Sequence, residues 1–263
     1  MKKLLVMGFS MLFLAPIILL AQSPLDGTWK INVSTAQMPK KPDVYLLQGG
    51  IYQCKTCVPP ISVKADGQDH KVTGHPYYDS VSVKVVDDRI VEETDKRDGK
   101  IVVTSKTVVA PDGKTATFEF SDSSATNGAP VTGKGVETRV VPGPPGSHAI
   151  SGSWRTTKME KMSDNGLSFT YKVTGNTLTM TSPVGQSYSA KLDGTDAPYK
   201  GDPGTTSVSV KSMAKNVIEE TDKRDGKVIT ISRNTVSANG KSMSISVEDK
   251  LHGTTMQFVA EKQ

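Results

Sequence analysis

Past residue 21 the chain alternates between apolar and polar positions. Leu167, Phe169, Tyr171 and Val173 interleave with Ser168, Thr170 and Lys172, and Met243, Ile245 and Val247 interleave with Ser242, Ser244 and Ser246. Phe118 and Phe120 alternate with Thr117 and Glu119. A period of two with one apolar face predicts half-buried β-strands, and no long stretch past residue 21 repeats at the helical period of 3.6. Asp-Gly and Asn-Gly pairs punctuate these runs at Asp66-Gly67, Asp98-Gly99, Asp112-Gly113, Asp193-Gly194, Asp225-Gly226 and Asn239-Gly240. Such pairs supply the positive φ that tight hairpin turns require. The pattern predicts an all-β protein.

The runs occur twice. Glu92-Glu93-Thr94-Asp95-Lys96-Arg97-Asp98-Gly99-Lys100 returns unchanged as Glu219-Glu220-Thr221-Asp222-Lys223-Arg224-Asp225-Gly226-Lys227, 127 positions later. The same offset carries Ser80-Val81-Ser82-Val83-Lys84 onto Ser207-Val208-Ser209-Val210-Lys211. Near the start of each copy, Gly27-Thr28-Trp29-Lys30 corresponds to Gly152-Ser153-Trp154-Arg155. A period this long indicates duplicated domains; solenoid repeats run to about 20–50 residues. Turn spacing predicts about eight or nine strands per copy, the regularity of a small barrel or a sandwich. Val141-Pro142-Gly143-Pro144-Pro145-Gly146-Ser147 sustains neither strand nor helix. The expected organisation is a first module over residues 24–141, a short stiff linker over 142–148, and a second module over 149–263.

The N-terminus has a different character. Lys2-Lys3 precede an apolar run from Leu4 to Leu20, and Ala21-Gln22-Ser23 follow. A basic start, an apolar core and a small exit residue form a secretory signal peptide over residues 1–21; an uncleaved N-terminal anchor is the alternative. Cleavage would remove two lysines and no acid, lowering the formal charge from +5 to +3. The remaining charges are interspersed, which argues against a nucleic-acid groove. The mature chain is expected in the periplasm or outside the cell, with no stable membrane insertion.

Gly27-Thr28-Trp29 and Gly152-Ser153-Trp154 resemble the Gly-X-Trp start of lipocalins and related calycin barrels, and each copy resembles the lipocalin-like repeats of exported bacterial proteins. The resemblance implies two tandem antiparallel barrels, each with its Trp closing one end beneath an Arg from the last strand. Arg139 would take that part in the first copy, and Lys262 is the basic residue near the end of the second. Two β-sandwiches are the alternative fold. Gly27, Trp29, Gly152 and Trp154 are read as structural residues, the indoles as core anchors.

Candidate chemistry centres on Cys54, Cys57, His70 and His75, the latter pair following the only two cysteines. Their spacing lies within the template for a tetrahedral zinc site. Against that reading, Gly74 and Pro76 disfavour the helix that carries both histidines in a zinc finger, and the positions matched in the second copy are Ala197 and Asp202. An oxidising compartment converts paired thiols to disulfides, so a local Cys54–Cys57 disulfide is the expectation and zinc the alternative. A redox-active thiol pair is a further reading, weakened by Pro59-Pro60 and by the absence of a βαβ pattern.

Other chemistries have little support. The chain has no Gly-X-Ser-X-Gly elbow and no His-Glu-X-X-His pair. His148 falls in the linker and His252 in a Leu251-His252-Gly253 turn, and both are expected at the surface. The duplicated block with Glu92, Glu93, Asp95 and Asp98, and with Glu219, Glu220, Asp222 and Asp225, is expected to be a solvated hairpin laced with ion pairs. Buried carboxylates suited to acid–base work, or a partner-binding edge, are the other readings. The functional expectation is a non-catalytic envelope protein that binds a small apolar ligand. A structural or interaction protein with filled barrels is one alternative, and an envelope metal or thiol-redox protein using Cys54 and Cys57 is the other.

Overall fold

A computed structural model describes residues 22–125 and 129–263. The expected signal peptide, residues 1–21, lies outside the described residues. The fold is almost entirely β, with 63% of residues in strands. The first copy contributes β1 (Gly27–Gln37), β2 (Asp43–Gln48), β3 (Ile51–Cys54), β4 (Ile61–Lys64), β5 (His70–Lys71), β6 (Ser80–Val85), β7 (Ile90–Arg97), β8 (Lys100–Val109), β9 (Thr115–Asp122) and β10 (Val131–Pro142). The second contributes β11 (Gly152–Met162), β12 (Ser168–Thr174), β13 (Thr177–Thr181), β14 (Ser187–Lys191), β15 (Asp193–Pro198), β16 (Ser207–Ala214), β17 (Val217–Arg224), β18 (Lys227–Val236), β19 (Ser242–Asp249) and β20 (Thr254–Lys262). Among the described residues a single 3-10 turn, Asp164–Gly166, precedes β12. Ten strands per copy exceed the eight or nine expected, because the short β3, β4 and β5 carry too few residues to show a clear alternation.

The strands form two ten-stranded antiparallel sheets, each rolled into a nearly closed barrel. Most consecutive strands pair with one another, as short hairpin connections favour. The sheets do not coincide with the sequence copies. Barrel one runs β4-β3-β2-β11-β10-β9-β8-β7-β6-β5, and barrel two runs β14-β13-β12-β1-β20-β19-β18-β17-β16-β15. The first strands are exchanged. β1 sets Gly27 opposite Tyr171 on β12 and Trp29 opposite Lys262 on β20. β11 sets Gly152 opposite Tyr45 on β2 and Trp154 opposite Arg139 on β10.

The exchange relocates the boundaries expected from the repeat. The Pro/Gly stretch after β10 does not link the two barrels; it joins β10 to β11 within barrel one. There it folds back on β2, where His148 N–H donates to the Leu47 carbonyl at 2.9 Å and Leu47 N–H donates to Ser151 Oγ at 2.9 Å. The chain passes between barrels at residues 38–42, after β1, and again at residues 163–167, after β11. Barrel two is closed between its edge strands by a reciprocal hydrogen-bonded pair, Ser187 with Lys200, both bonds 2.9 Å.

Each barrel has its own core. In barrel two Trp29, Leu178, Val208, Val210, Ile218, Val236, Met243 and Ala260 are fully enclosed. In barrel one Trp154, Val81, Val83, Val109 and Ala116 hold the equivalent ground. Both indoles are completely buried, and burial of a side chain that size contributes on the order of 4–6 kcal/mol of apolar transfer. Each indole N–H is satisfied by the carbonyl four residues earlier, Trp29 on Leu25 at 2.8 Å and Trp154 on Ile150 at 2.7 Å. Gly27 and Gly152 take φ of 130° and 133°, and a Cβ at Gly152 would lie 2.4 Å from the Val141 carbonyl oxygen. The position therefore admits only glycine.

The basic residues over the tryptophans follow the exchange. Arg139 lies 4.1 Å above the ring of Trp154, and Lys262 lies 5.2 Å from the ring of Trp29. The expected pairing of a Trp with a basic residue of the last strand is present, but each pair joins one copy to the other. The expectation that Arg139 covers the tryptophan of its own copy is corrected by the strand exchange.

Candidate functional site

The duplicated acidic block lies on β7 and β17. Period two divides it between two faces. Glu92 points outward, 3.4 Å from Lys106 and 3.9 Å from Lys84, as expected of a solvated ladder. Asp98 and Asp225, each followed by glycine, take positive φ of 52° and 50° at the hairpin turns. The other half departs from the expectation. Glu93 and Asp95 share the inward face with buried Val91, and Glu220 and Asp222 share it with buried Ile218. The signal was parity: each inward acid stands two or four residues beyond a strand residue of the core.

In barrel two these acids sit within a polar chain on an apolar wall. Tyr188 donates its hydroxyl to Glu220 Oε2 at 2.7 Å, and Tyr171 donates to the same oxygen at 3.1 Å. Asn234 Nδ2 donates in turn to the Tyr171 hydroxyl at 3.1 Å. Burial pushes the Glu220 carboxyl above the ordinary range, and the two tyrosine hydrogen bonds oppose that shift without cancelling it. Asp222 is pushed up to about 8, by burial first and then by the adjacent Glu220 and Asp202. Asp222 Oδ1 and Asn234 Oδ1 are enclosed and receive no hydrogen bond from the protein.

Barrel one repeats the theme with different supports. Tyr52 hydrogen-bonds Glu93, whose carboxyl is raised by burial. Asp95 is pushed up to about 8 by burial and by Glu93 and Asp122. Glu137, facing the same interior from β10, is pushed up to about 7 by burial and by Asp43. Tyr45 and Tyr171 are equivalent, since each pairs with the glycine of an exchanged Gly-X-Trp strand. The phenol bonded to the acid comes from β3 in barrel one, as Tyr52, and the acid of barrel two takes two, Tyr171 from β12 and Tyr188 from β14.

Above the polar chain of barrel two lies a cavity of about 710 Å³. Its wall is chiefly apolar and aromatic: Ile31, Phe169, Met180, Ile245, Val247 and Phe258, with Glu220, Asn234 and Tyr171 at the polar end. The mouth faces barrel one, whose Tyr77, Tyr78, Phe120 and Val131 complete it. Ile31 belongs to β1, so the exchanged strand supplies part of the wall. Tyr77 anchors this rim by donating to Asp202 Oδ1 at 2.9 Å. It occupies the space in front of Gly204, where a Cβ would lie 2.1 Å from its hydroxyl. Gly204 is the position matched to Tyr77 by the 127-residue offset, so the contact joins equivalent points of the two copies.

The cysteine–histidine set is not assembled into a centre. Cys54 and Cys57 form the expected disulfide, with an S–S distance of 2.05 Å, so neither sulfur is a thiolate ligand. His70 Nε2 pairs with Asp66 at 2.8 Å, and His75 stacks on Tyr78 with centroids 4.8 Å apart. Among the described residues no group of three or more His, Cys, Asp or Glu side chains is placed to hold a metal ion. His148 hydrogen-bonds the Asp87 carbonyl at 2.7 Å, and His252 pairs with Asp249. Among the described residues no helix is long and apolar enough to cross a membrane. In comparisons with known proteins, no protein family and no curated protein matches the chain.

Proposed function

We propose that this is a non-catalytic binding protein of the cell envelope, exported to the periplasm or beyond, whose second barrel holds one small, mostly apolar molecule. The carrying observation is the cavity of about 710 Å³, which lies in the size range of small-molecule sites and has an apolar wall with a few convergent polar groups at one end. A barrel of this size either fills its interior or encloses one ligand. The Cys54–Cys57 disulfide supports the oxidising compartment. The lipocalin-like reading of the Gly-X-Trp strands supports the same function.

Titration with the neutral fluorophore N-phenyl-1-naphthylamine tests this reading. A saturable, one-to-one rise in emission is expected, abolished in Ile245→Trp, which fills the cavity. A linear, unsaturable response that is unchanged in the variant would reject it.

A filled, structural role is the better reading for barrel one. Tyr45 and Tyr52 stack at 6.2 Å inside it, and Glu137 stands where barrel two has the small Ala260. On this reading barrel one serves chiefly to roof the mouth of barrel two.

A further inference from the structure

The charged side chains that line the cavity are all acidic. Among the described residues the cavity is lined by Asp122, Asp202 and Glu220 and by no lysine, arginine or histidine. The hydrogen-bond chain has a direction. Asn234 gives its N–H to Tyr171, and Tyr171 gives its O–H to Glu220. That direction turns the amide oxygen of Asn234 away from the chain. Asn234 is only 3% exposed, lines the cavity, and its Oδ1 receives no donor from the protein. Asp222, two residues along β17 on the same face as Glu220, also has an enclosed oxygen without a protein donor. Every enclosed side-chain atom without a protein partner among the described residues is an acceptor oxygen: Asp95 Oδ1, Asp222 Oδ1 and Asn234 Oδ1. A buried acceptor left unpaired is costly, so a ligand that supplies a donor here is favoured over one that does not.

Resting on the reading of barrel two as a ligand-binding barrel, we propose that its ligand is an organic amine. The protonated nitrogen is held at Glu220 and Asn234, and the apolar body lies against Met180, Ile245 and Phe258. An ammonium is a compact group of donors with no acceptor, the complement of this end of the cavity. Its positive charge offsets the burial that otherwise opposes ionisation of Glu220 and Asp222. A carboxylate ligand brings acceptors to a cavity whose charged lining side chains are acidic, and gives Asn234 Oδ1 no donor. The Tyr188 hydroxyl, spent on Glu220, keeps that carboxyl in place.

Three probes with one apolar body separate this inference from the reading beneath it: 4-phenylbutylamine, 4-phenylbutanol and 4-phenylbutyrate. Each is titrated at pH 8 against the full mature chain, by calorimetry and by displacement of N-phenyl-1-naphthylamine. The amine is expected to bind at least tenfold tighter than the alcohol or the carboxylate. Glu220→Gln is expected to lower amine affinity about tenfold while leaving the alcohol within about threefold. The ranking on the unaltered protein decides the matter even if the variant does not fold. Equal affinities, or a preference for the carboxylate, would overturn the amine assignment and leave the binding reading intact. Failure of all three together with the fluorophore would overturn the binding reading itself.

Discussion

Arg139 lies 4.1 Å above the indole of Trp154, although the arginine belongs to the last strand of the first sequence copy and the tryptophan to the first strand of the second. The same guanidinium donates to three carbonyls, those of Gly113, Ala149 and Ser151. It thereby ties β10 to the turn before β9 and to the loop that leads into β11. The pair Lys262 and Trp29 does related work in barrel two with a less specific cation. Lysine offers a point charge where arginine offers a planar fork.

Arg139→Ala is expected to destabilise the protein by about 2–4 kcal/mol, through the lost cation–π contact and three carbonyls left without their donor. Arg139→Lys should recover part of that loss, since Lys262 serves in the equivalent place. Urea denaturation followed by tryptophan fluorescence measures both. A change below about 0.5 kcal/mol for the alanine variant would contradict the role.

The strand exchange sets which fragment folds. Residues 39–162 contain β2 to β11, the complete set of barrel one. This fragment is expected to show a cooperative thermal transition and a dispersed amide spectrum. Shortening it to residues 39–151 removes β11 and exposes the facing edges of β2 and β10, and should abolish the transition. Cooperative folding of the shorter fragment would argue against the observed pairing.

Asp95 and Asp222 are raised to about 8 and Glu137 to about 7, against unfolded values near 4. Between those limits the folded chain binds more protons than the unfolded chain, so stability falls as pH rises. This contribution is complete below about pH 4 and is lost as pH passes through about 8. Asp66 and Asp193 shift downward, and their dependence acts only below about pH 4. The melting temperature should therefore drop by roughly 5–10 °C from pH 5 to pH 9. Asp222→Asn and Asp95→Asn should each flatten the profile. A melting temperature that rises over this range would refute the buried-acid description.

Tyr77 and Gly204 occupy one space. Gly204→Ala forces the phenol to move, and is expected to cost about 1–3 kcal/mol. Tyr77→Ala removes the obstacle together with the hydrogen bond to Asp202. The double variant should therefore cost less than the sum of the two, a coupling that a double-mutant cycle reads directly. Strict additivity would show that the two residues do not meet.

Much of the local structure was legible in the chain. Alternation located β12, β19 and β9, and the duplicated Asp-Gly turns located the β7–β8 and β17–β18 hairpins, because side-chain period and turn φ are properties of neighbouring residues. The Cys54–Cys57 disulfide was legible in a spacing of three residues together with the expectation of export. The acidic block was harder. Its lysine and arginine neighbours suggest a wet surface, and only parity with Val91 and Ile218 reveals that Glu93, Asp95, Glu220 and Asp222 turn inward.

By itself the sequence determined that this protein is a duplicated β-meander with two Gly-X-Trp strands, since hydrophobic period, turn chemistry and repetition are all written locally. Only the tertiary structure decided which copy each Gly-X-Trp strand completes. β1 and β11 carry the same motif and present the same glycine and indole to either barrel, so pairing preference alone does not choose between them. The choice rests on where residues 38–42 and 163–167 direct the chain and on which cation, Arg139 or Lys262, closes over which ring. The cavity depends on that choice, because its wall includes Ile31 from the exchanged strand and its mouth is formed by the other barrel.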